Sequence, residues 1–163
     1  MLENLVIEKL APADERILTV INFLSEENFD LFIQTNLKEF DNLEQEKKDK
    51  FKELTLRQAI GYYLSCDGEI YVAYLNDEII GAALRNEDYL DSLFVKKEYQ
   101  RCGYHLGKRI LLKTLQQKAE FEKHYKEHFE IAKMYAMNEK LKNLYLSWGF
   151  EAPYDSLLVR KYL

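Results

Sequence analysis

Apolar residues along this chain change their spacing several times, and each change marks an element. Residues 5–10 predict a short strand. Pro12 and Asp14 open a helix in which Ile17, Val20, Ile21 and Leu24 fall at i, i+3, i+4 and i+7, one apolar face. Residues 28–36 predict a further helical piece, and the highly charged segment 41–52 a solvated helix or loop. Thr55-Leu56-Arg57-Gln58 has capping-box form, because the Thr hydroxyl can accept from an orphan N–H while Gln reaches back. Leu56, Ala59, Ile60, Tyr63 and Leu64 then form another helical stripe.

The period drops towards two after that stripe. Residues 69–75 and 78–84 are rich in β-formers and flank Asn76-Asp77, which predicts a hairpin. Residues 85–88 predict a second turn and 89–95 a third strand. A helix is expected over about 106–127, a strand over 129–136 and a short helix over 138–147. A closing hairpin around Pro153 would end in 156–163. The predicted order is β-α-α-β-β-β-α-β-α-β-β, an α/β (α+β) single domain over residues 1–163 with a mixed, mostly antiparallel central sheet flanked by helices.

Composition narrows this picture. The chain has 163 residues and is 47% hydrophobic, enough for one domain with a real core. Six Gly and two Pro are too few for a disordered chain. Met1-Leu2-Glu3-Asn4 lacks a basic region before an apolar run, so no secretory signal is expected. No apolar run approaches a membrane span, so no membrane partner is expected. Two cysteines, Cys66 and Cys102, suit a reduced compartment, with the cytoplasm as default. A net charge of −5 argues against general nucleic-acid binding and favours cationic partners.

Against that acidic background one stretch stands out. From Lys96 to Lys118 there are seven basic residues and one acidic residue, Glu98. The stretch runs from a strand end through a turn with Gly103 and Gly107 into a helix. A solvated helix face would explain the charge alone. A strand-to-helix turn with glycines also gathers backbone N–H groups at the positive end of a helix, a site for phosphate or pyrophosphate. The glycine spacing and Arg109 after Lys108 do not fit a P-loop, and no G-x-G-x-x-G is present. His124-Tyr-Lys-Glu-His128 fits H-x-x-E-H literally. The short remainder of the chain and the lack of a third ligand argue for a solvated helix end, and no metal is expected.

The stretch resembles the GNAT superfamily of acyl-CoA-dependent N-acyltransferases. That family's first signature is a strand ending L-x-V followed by a Q/R-x-x-G-x-G/A turn that opens a helix. Leu93-Phe94-Val95 matches the strand end, and Gln100-Arg101-Cys102-Gly103 begins the turn. The second signature is N, seven residues on Y, four more to G-F. Asn138, Tyr145, Gly149 and Phe150 match it. The resemblance covers residues 69–163, with only element order matching before that, and it implies a GNAT-like fold. It departs at His105, which occupies the second glycine position if nothing is inserted. That register would bury Lys108 and Arg109, and two unpaired buried cations are very costly. A turn two residues longer puts Gly107 in that place, points Ile110 and Leu111 inward and lets Leu106 cover the helix start.

The resemblance implies acetyl-CoA as cosubstrate, its pyrophosphate held by backbone N–H groups within Gln100, Arg101, Cys102, Gly103, Tyr104, His105, Leu106, Gly107 and Lys108. It implies a backbone N–H within Leu93, Phe94 and Val95 for the thioester carbonyl, and Asn138 against the pantetheine arm. Tyr145 would be the general acid at the sulfur; spacing alone leaves it equally a core tyrosine beside Leu141 and Leu144. Asp91 is the candidate base on the strand, with Glu87 and Asp88 in the preceding turn and a solvent-facing carboxylate as the alternative. Cys102 has no partner pattern for a nucleophile. Tyr62, Tyr63, Phe29, Phe32 and Phe40 could line an acceptor cleft or fill the core.

The expected function is acetyl transfer from acetyl-CoA to a primary amine of a small molecule or peptide, by direct attack in a ternary complex. A GNAT-fold module that binds CoA as a sensor without turnover is the alternative. A homodimer is compatible with either.

Overall fold

Side-chain alternation along two neighbouring strands sorts the core into two layers. The computed structural model describes residues 3–35, 41–65, 68–86, 89–125, 131–136, 138–152 and 158–162. Among them, β1 (Leu5–Lys9), β2 (Glu69–Leu75), β3 (Glu78–Asn86), β4 (Tyr89–Val95), β5 (Ile131–Tyr135) and β6 (Leu158–Tyr162) lie across one sheet in chain order. All neighbours are antiparallel except β4 and β5. Four α-helices are fully described: α1 (Ile17–Thr35), α2 (Gln45–Ser65), α3 (Leu106–Tyr125) and α4 (Glu139–Ser147). Ile70 and Val72 of β2 pack with Ala82 and Leu84 of β3 against α1, where Ile17, Val20, Ile21 and Leu24 are buried. Tyr71, Ala73 and Ala83 point the other way, onto Leu106, Ile110 and Leu111 of α3 and Tyr145 of α4.

The β2–β3 hairpin turns through Asn76 and Asp77, both at positive φ (50° and 66°), as a two-residue primed turn requires. Several predicted boundaries differ. β3 runs to Asn86, through the start of the predicted 85–88 turn. The helical piece over 28–36 is continuous with α1, because no Gly or Pro interrupts Ser25-Glu26-Glu27-Asn28. Thr55 caps nothing: α2 starts ten residues earlier, and the Thr55 hydroxyl donates to the carbonyl of Phe51 at 3.0 Å within the helix. The preceding Lys/Glu-rich segment contains good helix formers and i, i+4 pairs such as Gln45–Asp49, so the helix propagates through it. The first arm of the closing hairpin shrinks to a bridge at Glu151, and 153–157 lie outside the described residues. Glu87, Asp88, Cys66, Phe40 and His128 also lie outside them, as do the side chains of Phe32 and His124.

Gly81 fixes how closely α3 approaches the sheet. A Cβ there would sit 2.8 Å from Ile110 Cδ1 and 3.0 Å from the carbonyl oxygen of Phe94. The isoleucine tip can move, whereas the strand carbonyl cannot without disturbing the β3–β4 ladder. We expect Gly81→Ala to lower stability by about 1–3 kcal/mol, the usual range for overpacking. Urea unfolding measures it, and an unchanged midpoint would mean that the helix is free to back away.

Candidate active site

The site begins with a defect in strand pairing. Leu84 pairs with Ser92 and Arg85 with Leu90, so Asp91 is the extra residue of a β-bulge on β4. Bulges bend a strand and end its pairing. On the other side, among the described residues, β4 pairs with β5 only through Tyr89↔Lys133 and Leu90↔Met134. Beyond the bulge the two parallel strands therefore separate. The Lys96 N–H donates to the carbonyl of Ile80 at 2.9 Å, towards β3. Alternation then directs the backbone groups of Leu93 and Val95 into the split, away from β3. Gln100 already uses one of them: its Nε2 donates to the Val95 carbonyl at 2.6 Å.

A short 3-10 turn, Lys97–Tyr99, leads out of β4. The chain then takes positive φ at Arg101 (57°), Gly103 (76°) and His105 (51°), and α3 starts at Leu106. Such alternation folds successive amides into a concave turn suited to an anion. The first intrahelical bond is Arg109 N–H to the His105 carbonyl at 3.0 Å, which leaves the amides of Leu106, Gly107 and Lys108 ahead of it. The helix follows the longer-turn register. Leu106, Ile110 and Leu111 are buried, whereas His105 and Arg109 are exposed and Lys108 is half-buried. Burying each aliphatic side chain is worth about 1.5–3 kcal/mol, so the hydrophobic pattern of the helix overrides the spacing of the turn. Gly107 is close to Trp148, whose ring edge would meet an added Cβ at 3.3 Å. Arg101, Lys108 and Arg109 make no ion pair among the described residues, whereas Lys96 pairs with Glu78. Cys102 and Tyr104 are exposed on the turn, and the Cys102 thiol lies 3.1 Å from the Glu98 carbonyl oxygen.

Tyr145 is buried in the α3-side core, with ring contacts to Trp148 (5.6 Å) and Phe150 (6.2 Å). Among the described residues nothing hydrogen-bonds its hydroxyl. Burial alone pushes the phenol up to about 12, so it keeps its proton at neutral pH. Asn138 is the N-cap of α4: its Oδ1 accepts from the Leu141 N–H at 2.9 Å, leaving only its Nδ2 for another partner.

Asp91 faces the opposite layer. It opens onto a cleft of ≈ 300 Å³ between α1, α2 and the β3–β4 pair, where Ile21, Leu24, Ala59 and Leu84 supply apolar walls. Asn86 Nδ2 donates to the Tyr62 hydroxyl at 3.1 Å, and that hydroxyl donates to Asp91 Oδ2 at 2.9 Å. The walls withdraw Asp91 from water and push its carboxyl above the ordinary range; the bond from Tyr62 pulls it back in part. Of the five aromatics singled out in the sequence, Tyr62 lines the cleft, Phe29 is buried and Tyr63 packs against the α1-side core. Sequence reasoning missed Ser25, Asn28, Gln58 and Asn86, because single polar residues on a helix or at a strand end carry no spacing signal. Among the described residues no cluster of metal-ligating side chains occurs, and no helix is long and apolar enough to cross a membrane.

Residues 39–161 match a family model described as an acetyltransferase (GNAT) domain. No curated protein matches the chain. Among solved structures, the PaiA N-acetyltransferase of Thermoplasma acidophilum in complex with coenzyme A is similar over 98% of this chain and 99% of that chain (TM-score 0.58, 18% identity). A GNAT family acetyltransferase from Elizabethkingia anophelis with acetyl-CoA bound is similar over 99% of both chains (TM-score 0.53, 16% identity). The KacTA–DNA complex is similar over 97% of this chain and 92% of that chain (TM-score 0.58, 19% identity). The expected exclusion of nucleic acid therefore finds no support in the fold.

Proposed function

Because this chain belongs to the GNAT acetyltransferase family, we propose that it transfers an acetyl group from acetyl-CoA to a primary amine by direct attack in a ternary complex. The single observation that carries this reading is the β4–β5 split, which sets free strand amides between a basic helix N-terminus on one side and a carboxylate-bearing cleft on the other. The residues present fit a CoA-type cosubstrate. Orphan amides at Leu106, Gly107 and Lys108 suit a pyrophosphate, with Arg101, Lys108 and Arg109 adding charge. A pantetheine arm is an extended chain with amides and would pair with the free edge of β4, with the Asn138 Nδ2 as a further donor. Bound acetyl-CoA would supply the thioester carbonyl as electrophile and a thiolate as leaving group.

The chain's own groups then divide the proton traffic. The Leu93 or Val95 N–H would stabilise the carbonyl oxygen as charge builds on it. Asp91, as a carboxylate, would attract a cationic amine; after that amine has lost one proton to solvent, the neutral amine attacks and Asp91 accepts its second proton as the C–N bond forms. Tyr145, protonated and with no competing partner among the described residues, would donate to the sulfur as the C–S bond breaks. Bond formation, bond cleavage and both proton transfers balance without a covalent enzyme intermediate. Thiol release from acetyl-CoA across a panel of amines, alongside calorimetric CoA binding, tests this reading; binding without release from any amine would overturn it.

The turn has its own test. Gly103 sits at φ 76° with no protein atom within 4 Å of an added Cβ, so a side chain there meets no steric wall. A β-branched residue is strained at that φ and would reshape the amide cradle. Gly103→Val should weaken acetyl-CoA binding at least about tenfold, or ~1.4 kcal/mol, while the domain stays folded. Unchanged affinity would contradict a pyrophosphate in this turn.

A further inference from the structure

Ser25 is 5% exposed, and its hydroxyl has no hydrogen-bond partner among the described residues. A helical hydroxyl ordinarily turns back onto the carbonyl three or four residues earlier. Thr55, Ser65, Thr114 and Ser147 all do so, at 3.0, 2.9, 2.8 and 2.6 Å. Ser25 alone among these is buried, unpartnered and part of the cleft wall. A buried hydroxyl left without a partner is destabilising, and a bound molecule presenting a hydrogen-bonding group would remove that penalty.

The rest of the lining narrows what that molecule is. Asp91 is the one charged group among the cleft's lining residues, and no Lys, Arg or His is among them. One carboxylate answers one ammonium. A second ammonium would lack a counter-charge, and a carboxylate on the ligand would meet repulsion from Asp91 with no cation to offset it. Asn28, Thr55 and Gln58 add neutral polar groups around Ser25, and the ≈ 300 Å³ volume suits a small molecule.

Resting on the acyltransfer reading, we infer that the acceptor is a small primary amine bearing one uncharged hydrogen-bonding group, a hydroxyl or carboxamide, and that Ser25 is the residue that selects it. Asp91 holds the amine end near the split, and the Ser25 hydroxyl, as donor or acceptor, takes the neutral end. Sites that hydrogen-bond a substrate hydroxyl reject the analogue lacking it, because their own polar group is then stranded.

The experiment uses ω-amino alcohols of two to five carbons, alkylamines of the same lengths, and ω-amino acids and diamines as charged controls. Two quantities are read: calorimetric binding of each amine to the CoA-saturated protein, and thiol release with acetyl-CoA. At one chain length the amino alcohol should exceed the alkylamine by about tenfold in affinity and in kcat/KM. Ser25→Ala should narrow that ratio to within about twofold without lowering the melting temperature, since it deletes an unsatisfied group. Equal use of the two series by the native chain, a ratio unchanged in Ser25→Ala, a preference for amino acids or diamines, or no binding of any amine overturns the inference. Thiol release that persists alongside such a result leaves acyl transfer standing. A Ser25-dependent binding ratio without thiol release supports the selector and overturns acyl transfer.

Discussion

Tyr145→Phe should turn over about 10²-fold more slowly than the native chain while folding and binding CoA almost unchanged. The substitution keeps the ring, and with it the contacts to Trp148 and Phe150 that fix α4 against the core. It deletes only an oxygen that no described residue hydrogen-bonds, so no partner is stranded inside the protein. The loss should therefore fall on the chemical step. A phenol held protonated by burial, pushed up to about 12, is matched to a leaving thiolate and has little to offer the neutral thioester. Its bond strengthens only as the sulfur gains charge, so kcat should drop with little change in KM. An acetyl thioester of a more acidic thiol should recover part of the rate. Pre-steady-state thiol release, which isolates chemistry from product release, makes the measurement. A variant that matches the native rate there would return Tyr145 to a purely structural place in the core.

A comparable loss is expected for Asp91→Asn, read as kcat/KM across pH. Asparagine keeps the shape and an acceptor for the Tyr62 hydroxyl but cannot take a proton. The rate should fall about 10²-fold, the usual scale for a lost general base. The native profile should lose activity as pH falls through the Asp91 pKa, which burial sets above the ordinary carboxylate range. Tyr62→Phe supplies the sign test. Its hydroxyl donates to the ionised carboxylate and so lowers that pKa. Removing it favours the protonated form, so the acid limb should move to higher pH while the rate well above it changes little. An acid limb that stays in place in Tyr62→Phe, or that survives in Asp91→Asn, would assign it to another group.

Much of the fold was legible because local spacing reports local burial. Ile17, Val20, Ile21 and Leu24 recur at helical intervals and are buried together. Asn76-Asp77 between two β-rich runs forms the hairpin turn at positive φ. Ile110 and Leu111 face inward because the alternative register buries two cations, a comparison that needs only side-chain chemistry. Tertiary structure decided the rest. The Thr55 capping pattern is valid chemistry, yet α2 passes through it, since nothing local records that the helix has already begun. The bulge that isolates Asp91 arises from pairing with β3, and its partner Tyr62 stands 29 positions away in sequence. Gly81 has negative φ and no turn, and its role appears only once Ile110 packs over it. Ser25 occupies an ordinary helical position in the sequence, and only the approach of α2 and β4 makes it part of a cleft wall, its hydroxyl unpartnered among the described residues. An element's own face is encoded in neighbours three or four residues apart. A site assembled from four elements depends on distances between segments that no local periodicity carries.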